Sequence, residues 1–284
     1  MGTVAAFGKK RSAAAARTGI ERPQAKPVVE PDPASAEDSV SEVSGHIGLL
    51  SRMPFLTFGL IAVLVLVFRR EDVPVFDFGL ILDPSLPPLV AEGGLSGKAV
   101  LDGGEWWRLF TAPLLHDGIF DLSSNLIALM IAGWIFERLI GRAWFAALFA
   151  ISALGGEVGC LVLNARATVS TGASGAVIGL LAAAFVCSFI FQSEQLRKRM
   201  QRGTSRLLVP SLLPALAPFL DGSFADGDFG APIGGAIAGA AIGYLLREIW
   251  PEGAVRPAGG KIALAIACVS GAISAAAFAF IAMK

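Results

Sequence analysis

Seven apolar runs, each bounded by charged or polar residues, constrain the fold of this chain more than any other feature. A helix needs about 20 predominantly apolar residues to cross the hydrocarbon core of a bilayer. The runs lie at residues 53–68, 116–136, 143–162, 173–191, 207–220, 231–248 and 262–283. Because 54% of the 284 residues are hydrophobic, 16% are charged and the mean hydropathy is +0.66, the composition is not that of a soluble globular domain. The sequence therefore predicts an all-α, polytopic membrane protein with about seven transmembrane helices.

The fifth run, residues 207–220, is short and differs from the others in its proline content. Pro210, Pro214 and Pro218 each lack a backbone N–H donor. We therefore expect this span to be bent or broken.

The first 45 residues have a composition unlike the rest of the chain. They are rich in Ala, Pro, Lys, Arg and Glu and show no apolar periodicity, so they bury too little surface to offset the entropy of ordering them. We predict a disordered, basic cytoplasmic tail at 1–45; the alternative is a tail that contacts anionic lipid headgroups. We predict a core of six transmembrane helices at 46–250 and an additional C-terminal transmembrane helix within 251–284.

Charge is distributed unequally between the predicted loops, although the formal net charge is zero. The segment 192–207 is basic, whereas the segment 221–230 carries three Asp and no basic residue. The basic residues are Arg197, Lys198, Arg199, Arg202 and Arg206. Since Lys and Arg concentrate in cytoplasmic loops, the sequence predicts a plasma (inner) membrane protein with a cytoplasmic N-terminus.

Neither the cysteines nor any other motif indicates a bound group. Cys160, Cys187 and Cys268 all fall in apolar segments, and their number and spacing do not fit a disulfide framework or a zinc site. We expect them to act as small apolar side chains. The expected partners are the lipid bilayer and other transmembrane segments, with no nucleic acid, cofactor or metal.

The second run opens with a density of polar groups that a lipid-facing helix does not tolerate. Asp121 and Asn125 are one helical turn apart and share a face, which must meet protein or water. Directly after this run, Glu137 is expected as a charge at the cytoplasmic end. The polar residues at the start are His116, Asp117, Asp121, Ser123, Ser124 and Asn125.

Ser174, in the segment STGASG that precedes the fourth span, has two interpretations. As a helix N-cap it would satisfy a backbone N–H and need no further function. As a nucleophile it would lie where free N–H groups at a helix N-terminus can stabilise an oxyanion.

Glycines recur every four residues in the sixth span, at Gly235, Gly239 and Gly243. Gly175 and Gly179 form a matching stripe in the fourth span. Small residues at this spacing allow two membrane helices to approach closely, so we expect the fourth and sixth spans to be in contact.

Six motifs follow one another along the chain: Trp107-Arg108, His116, Asn125, Glu137 in GWIFERLIG, TGASG around Ser174, and APIGGAIAG with Gly235 and Gly239. Taken in this order, they resemble the rhomboid intramembrane serine proteases over about residues 50 to 250, and the seventh span fits the common bacterial seven-helix form. The resemblance implies that Ser174 occupies the nucleophile position and Asn125 an oxyanion-binding position. It also implies that His116 organises the first long loop and that Trp107 and Arg108 anchor it.

Three positions depart from the family pattern. The resemblance puts Asp121 at the oxyanion-hole histidine, Ile178 at the aromatic residue that stacks on the catalytic histidine, and Pro232 at the catalytic histidine itself. A serine hydroxyl is a poor nucleophile without a positioned base, and proline cannot take its proton. A carboxylate in the oxyanion pocket would repel the developing charge unless it were protonated.

The leading hypothesis is therefore a pseudoprotease that binds transmembrane segments of client proteins without cleaving them. The alternative is a slow or rewired intramembrane serine endopeptidase that uses Ser174 with Asp121 or Asp228 as the base. A channel or transporter is disfavoured, because the sequence shows no inverted repeat or matched pair of broken helices.

Overall fold

Helices form almost all of the regular structure in the computed structural model, which describes residues 53–70, 87–164, 168–221, 228–251 and 254–283. Every described residue belongs to one compact unit, Ser39–Lys284. The tail predicted at 1–45 lies outside the described residues.

The described chain contains seven helices of 14 residues or more, together with short elements in the first long connection. In chain order the elements are α1 Phe55–Phe68, α2 Pro87–Glu92, β1 Leu95–Ser96, α3 Gly97–Leu101, α4 Arg108–Thr111, a 3-10 turn Ala112–Leu114, α5 Ile119–Ile140, α6 Arg142–Leu163, β2 Val169–Ser170, α7 Ser174–Cys187 with a 3-10 turn Ser188–Ile190, α8 Glu194–Asp221, α9 Gly230–Glu248 and α10 Gly260–Ala282. The all-α prediction is confirmed.

Three of these helices, α5, α6 and α10, are long and apolar enough to cross a membrane. Helix α1 and the segment Ser174–Ile190 are apolar but shorter. Six of the seven predicted runs coincide with a helix to within four residues at either end, and the total of seven spans stays a prediction.

The bounds predicted for the fifth run are wrong, and the helix there is not broken. Helix α8 begins at Glu194, so most of the segment predicted as a loop at 192–207 is helical, and the helix continues through Pro210 without a break. Leu196 and Met200, on the side away from the charges, pack against the hydrophobic core and extend the helix into this basic segment. The prolines recur every four residues, so the missing N–H donors fall along one side of the helix and the rest of the ladder is retained.

The centre of the fold is a close contact of α6, α7 and α9. A Cβ atom on Gly235 of α9 would lie 2.7 Å from Gly175 Cα of α7, and one on Gly239 would lie 2.5 Å from Gly179 Cα. The predicted contact between the fourth and sixth spans is therefore confirmed. Helix α9 packs equally closely on α6, where a Cβ on Gly159 would lie 2.9 Å from Gly234 Cα. Such approaches are open only to glycine.

Glu137, near the end of α5, anchors this helix to α1. Its side chain is buried, and Oε2 accepts hydrogen bonds from the Thr57 N–H at 2.7 Å and the Thr57 hydroxyl at 2.6 Å, while Oε1 accepts one from the Leu56 N–H at 3.0 Å. The carboxylate thereby satisfies donors at the N-terminus of α1. The Arg142 guanidinium, 3.8 Å from Oε1, adds an opposite charge. Burial of this junction extends α5 four residues beyond its predicted end.

Candidate functional site

Ser174 is the first residue of α7, at the end of a loop that is fixed on both sides. Ala173 is the N-cap residue and no side chain caps the helix, so the interpretation of Ser174 as an N-cap is wrong. The preceding Gly172 has φ +105° and donates its N–H to Ala112 O at 3.1 Å. Within the part of the chain that the structure describes, Ser174 Oγ makes no hydrogen bond.

Asp121 and Asn125 form a hydrogen-bonded pair beside this loop. The Asn125 amide donates to Asp121 Oδ1 at 2.8 Å and to Asp121 O at 3.0 Å. A Cβ atom on Gly172 would lie 3.2 Å from Asp121 Oδ2, which places the carboxylate against the backbone two residues before Ser174. The donor that the family resemblance assigns to an oxyanion is therefore committed to a carboxylate.

Pro232 lies in the first turn of α9 and is buried beside the start of α7. The carbonyl oxygen of the preceding Ala231 would be 2.9 Å from a Cβ on Gly175, the residue after Ser174. One turn later, Gly235 contacts the same glycine. The structure thus brings the two helix starts that carry Ser174 and Pro232 into contact. The proline side chain has no group that could accept a proton.

Asp228, weighed as a possible base, hydrogen-bonds to residues other than Ser174 in a polar network. Its Oδ1 accepts from the Asn164 amide at 2.8 Å and from the Ala231 N–H at 3.3 Å, and its Oδ2 accepts from the Ser170 hydroxyl. The Cys160 thiol lies 3.3 Å from Oδ1 and 3.2 Å from Ser170 Oγ, so it is more than an apolar filler. The network joins the end of α6, strand β2 and the first turn of α9.

Glu157 is a further carboxyl in this region. It is 2% exposed and lies one turn before Cys160 on α6. Its Oε2 has no hydrogen-bond partner among the residues that the structure describes. An ionisable residue in the middle of an apolar run is itself a signal, so the sequence could have identified Glu157. The same reasoning could not have found Asn164 or Ser170, because their contact with Asp228 joins residues 64 and 58 positions apart.

The first long connection is held by Arg108. This side chain is 6% exposed and its Nη1 donates to Val90 O at 2.5 Å and to Gly94 O at 2.8 Å. Its guanidinium also lies 4.6 Å from the ring centre of Trp107. The anchoring role implied for Trp107 and Arg108 is consistent with these contacts.

Two other contacts tie the connection to the rest of the fold. Strand β1 pairs with β2 in antiparallel register, with Leu95 opposite Ser170, four residues before Ser174. His116, between the 3-10 turn and α5, is fully buried. Trp107 contacts Phe280 of α10 edge-to-face at a centroid distance of 6.2 Å.

A serine nucleophile needs a base within hydrogen-bond reach. Among the described residues, neither Asp121 nor Asp228 hydrogen-bonds to Ser174 Oγ. Ile178, one turn after Ser174 on α7, is a buried aliphatic side chain and provides no ring to stack on a base.

Comparison with known proteins gives this arrangement a context. The family model described as Rhomboid domain matches residues 103–249, just over half of the chain. RHOMBOID-like protein 5 of Arabidopsis thaliana is 34% identical over 179 residues, which are 63% of this chain and 56% of that protein. Rhomboid protease GluP of Bacillus subtilis is 30% identical over 152 residues, which are 53% of this chain and 29% of that protein.

A third relative is named for the lack of activity. Inactive RHOMBOID-like protein 8 of Arabidopsis thaliana is 36% identical over 102 residues, covering 36% of this chain and 29% of that protein. The chain spans about half, or less, of the length of these relatives. Because the family model covers residues 103–249, which include Ser174, Asn125 and Pro232, the chain belongs to the rhomboid family of polytopic membrane proteins.

Proposed function

We propose that this protein is a pseudoprotease that binds transmembrane segments of client proteins without cleaving them. The observation that carries the proposal is the pair of helix starts at the site. Ser174 begins α7, and the facing first turn of α9 presents Pro232 in place of a base. The unengaged Ser174 hydroxyl and the Asp121–Asn125 pair support the same conclusion, because neither nucleophile activation nor oxyanion binding is provided.

A binding role is favoured because the scaffold around the lost chemistry is intact. The Arg108 anchor, the β1–β2 pairing and the glycine contacts of α9 with α6 and α7 are all present. Their retention would be unnecessary if the chain no longer needed a shaped site. The inactive relative shows only that the family includes a member named as inactive.

We further propose seven transmembrane spans, a plasma (inner) membrane location and a cytoplasmic N-terminus. The support is the charge on the two sides of α8. Five basic residues lie from Arg197 to Arg206 in the first half of this helix, whereas the segment 221–230 carries three Asp and no basic residue. In right-side-out vesicles the tail should resist added protease; its digestion there would contradict the orientation.

Cleavage and labelling assays test the pseudoprotease. Purified protein in detergent is expected to leave a panel of type I transmembrane substrates intact and to remain unlabelled by a fluorophosphonate probe, because Ser174 has no base. Crosslinking should nevertheless capture members of the same panel. The matched control is Ser174→Ala, which is expected to behave as the wild type in all three assays. Cleavage or labelling that Ser174→Ala abolishes would show that the protein is an active endopeptidase.

A further inference from the structure

The first half of α8 carries a row of basic side chains that the site does not use. Lys198, Arg202 and Arg206 follow one another at four-residue spacing, and Arg199 lies beside them on the same side of the helix. All four side chains are exposed. We call these four residues the basic stripe.

The orientation of the basic stripe is fixed by the opposite side of the helix. Thr204 is 7% exposed, and the apolar residues on that side pack against the main hydrophobic core. They are Leu196, Met200, Leu207 and Leu208. The basic side chains therefore point away from the protein and cannot be turned inward without losing this packing.

One acidic residue neutralises part of the stripe. Lys198 Nζ lies 2.5 Å from Glu194 Oε1, and its hydrogen bond lowers the pKa of Glu194, so the carboxylate is ionised at neutral pH. Within the described part of the chain, no salt bridge involves Arg199, Arg202 or Arg206. Lys198, Arg199 and Arg202 line a shallow concavity on the helix surface together with Glu194 and Gln195. Arg202 Nε donates to Lys198 O at 3.2 Å, which leaves its two terminal NH2 groups available to an anion together with the guanidinium groups of Arg199 and Arg206.

The position of the stripe along α8 distinguishes a lipid from a soluble anion. The apolar half of the helix begins at Leu207, directly after Arg206. From Arg206 back to Lys198 is a rise of only about 12 Å along a helix. The stripe therefore lies at the level where an apolar helix leaves the hydrocarbon core and enters the headgroup layer. Planar guanidinium groups match the geometry of phosphate oxygens.

We propose that the basic stripe binds the anionic headgroups of phospholipids at the membrane surface, a role independent of the proposed pseudoprotease site. The preference for anionic lipids comes from the positive charge of the stripe and from its position at the depth of the headgroup layer. Zwitterionic headgroups offer the same phosphate but no net charge, so they should compete poorly.

Native mass spectrometry of the full chain in neutral detergent tests the proposal. Short-chain phosphatidylglycerol is titrated against short-chain phosphatidylcholine, and the bound molecules are counted. Wild type should retain phosphatidylglycerol preferentially. The variant with Lys198, Arg199, Arg202 and Arg206 all changed to Gln should lose that preference by roughly tenfold or more, and high salt should weaken it in the wild type.

A control variant separates this site from general charge. Changing Arg69, Arg70, Lys98 and Arg247 to Gln removes the same number of exposed basic residues away from the stripe and should preserve the preference. A second variant, Arg199→Lys, Arg202→Lys and Arg206→Lys, keeps the positive charge and should retain most of the preference for phosphatidylglycerol. Equal phosphatidylglycerol binding by wild type and the Gln variant, an equal loss in the control, or displacement of the lipid by an acidic peptide at equal charge concentration would each refute the proposal.

Discussion

Gly239→Ala is expected to destabilise the protein by about 3 kcal/mol or more, the upper range for forcing extra atoms into a packed core. The added Cβ would lie 2.5 Å from both Gly179 C and Gly179 Cα, so it would meet backbone and not the end of a flexible side chain. Helices α7 and α9 would have to separate, and the starts of both helices carry the candidate site.

The matched control is Gly271→Ala in α10, another glycine inside an apolar helix, where a Cβ would meet nothing within 4 Å. This change should be neutral or slightly stabilising, because alanine has the higher helix propensity. Thermal unfolding of both variants in detergent measures the difference. Equal melting temperatures for the two would mean that α7 and α9 are not in backbone contact.

The same glycines show how much of the fold could be predicted from the sequence. A four-residue repeat of small residues in two apolar runs has few explanations other than helix contact, so the contact of Gly235 with Gly175 was predictable. The second partner of α9 was not predicted, although Gly155, Gly156 and Gly159 stand in α6. The pattern indicates that one side of a helix carries small residues. It does not indicate how many neighbouring helices pack against that side.

Helix α8 shows where the sequence misled. The predicted fifth span begins only after the charged residues, because charged residues are costly in lipid. The helix itself is bounded by hydrogen bonds and packing, and Leu196 and Met200 extend it through the charged segment. At the site, Asp121 and Asn125 could be paired in advance because they are one turn apart. The bonds of Asp228 could not, because they depend on how three distant segments meet.

Proteolysis is expected to appear when the three departures from the family pattern are reversed together, as Pro232→His, Asp121→His and Ile178→Tyr. Loss of a member of a catalytic triad costs about 10⁴-fold or more in rate, so the wild type should show no cleavage above background. Pro232 lies one turn before Gly235, which contacts α7, so an imidazole introduced there would be directed toward the start of that helix. Cleavage of a transmembrane substrate on gel is the readout, and adding Ser174→Ala to the triple variant should abolish it.

Folding of the triple variant decides what a negative result means. Pro232 stands in the first turn of α9, where its missing N–H would have no helical partner, so histidine should fit the backbone there. Ile178 is only 3% exposed, and tyrosine adds volume at a packed position. The double variant without Ile178→Tyr therefore has to be assayed beside it. If either variant melts as the wild type does and still fails to cleave, the two helix starts are not at catalytic separation, and the loss of activity lies in the backbone as well as in the side chains. Cleavage by either would instead mean that the backbone still holds protease geometry and that these substitutions alone silence it.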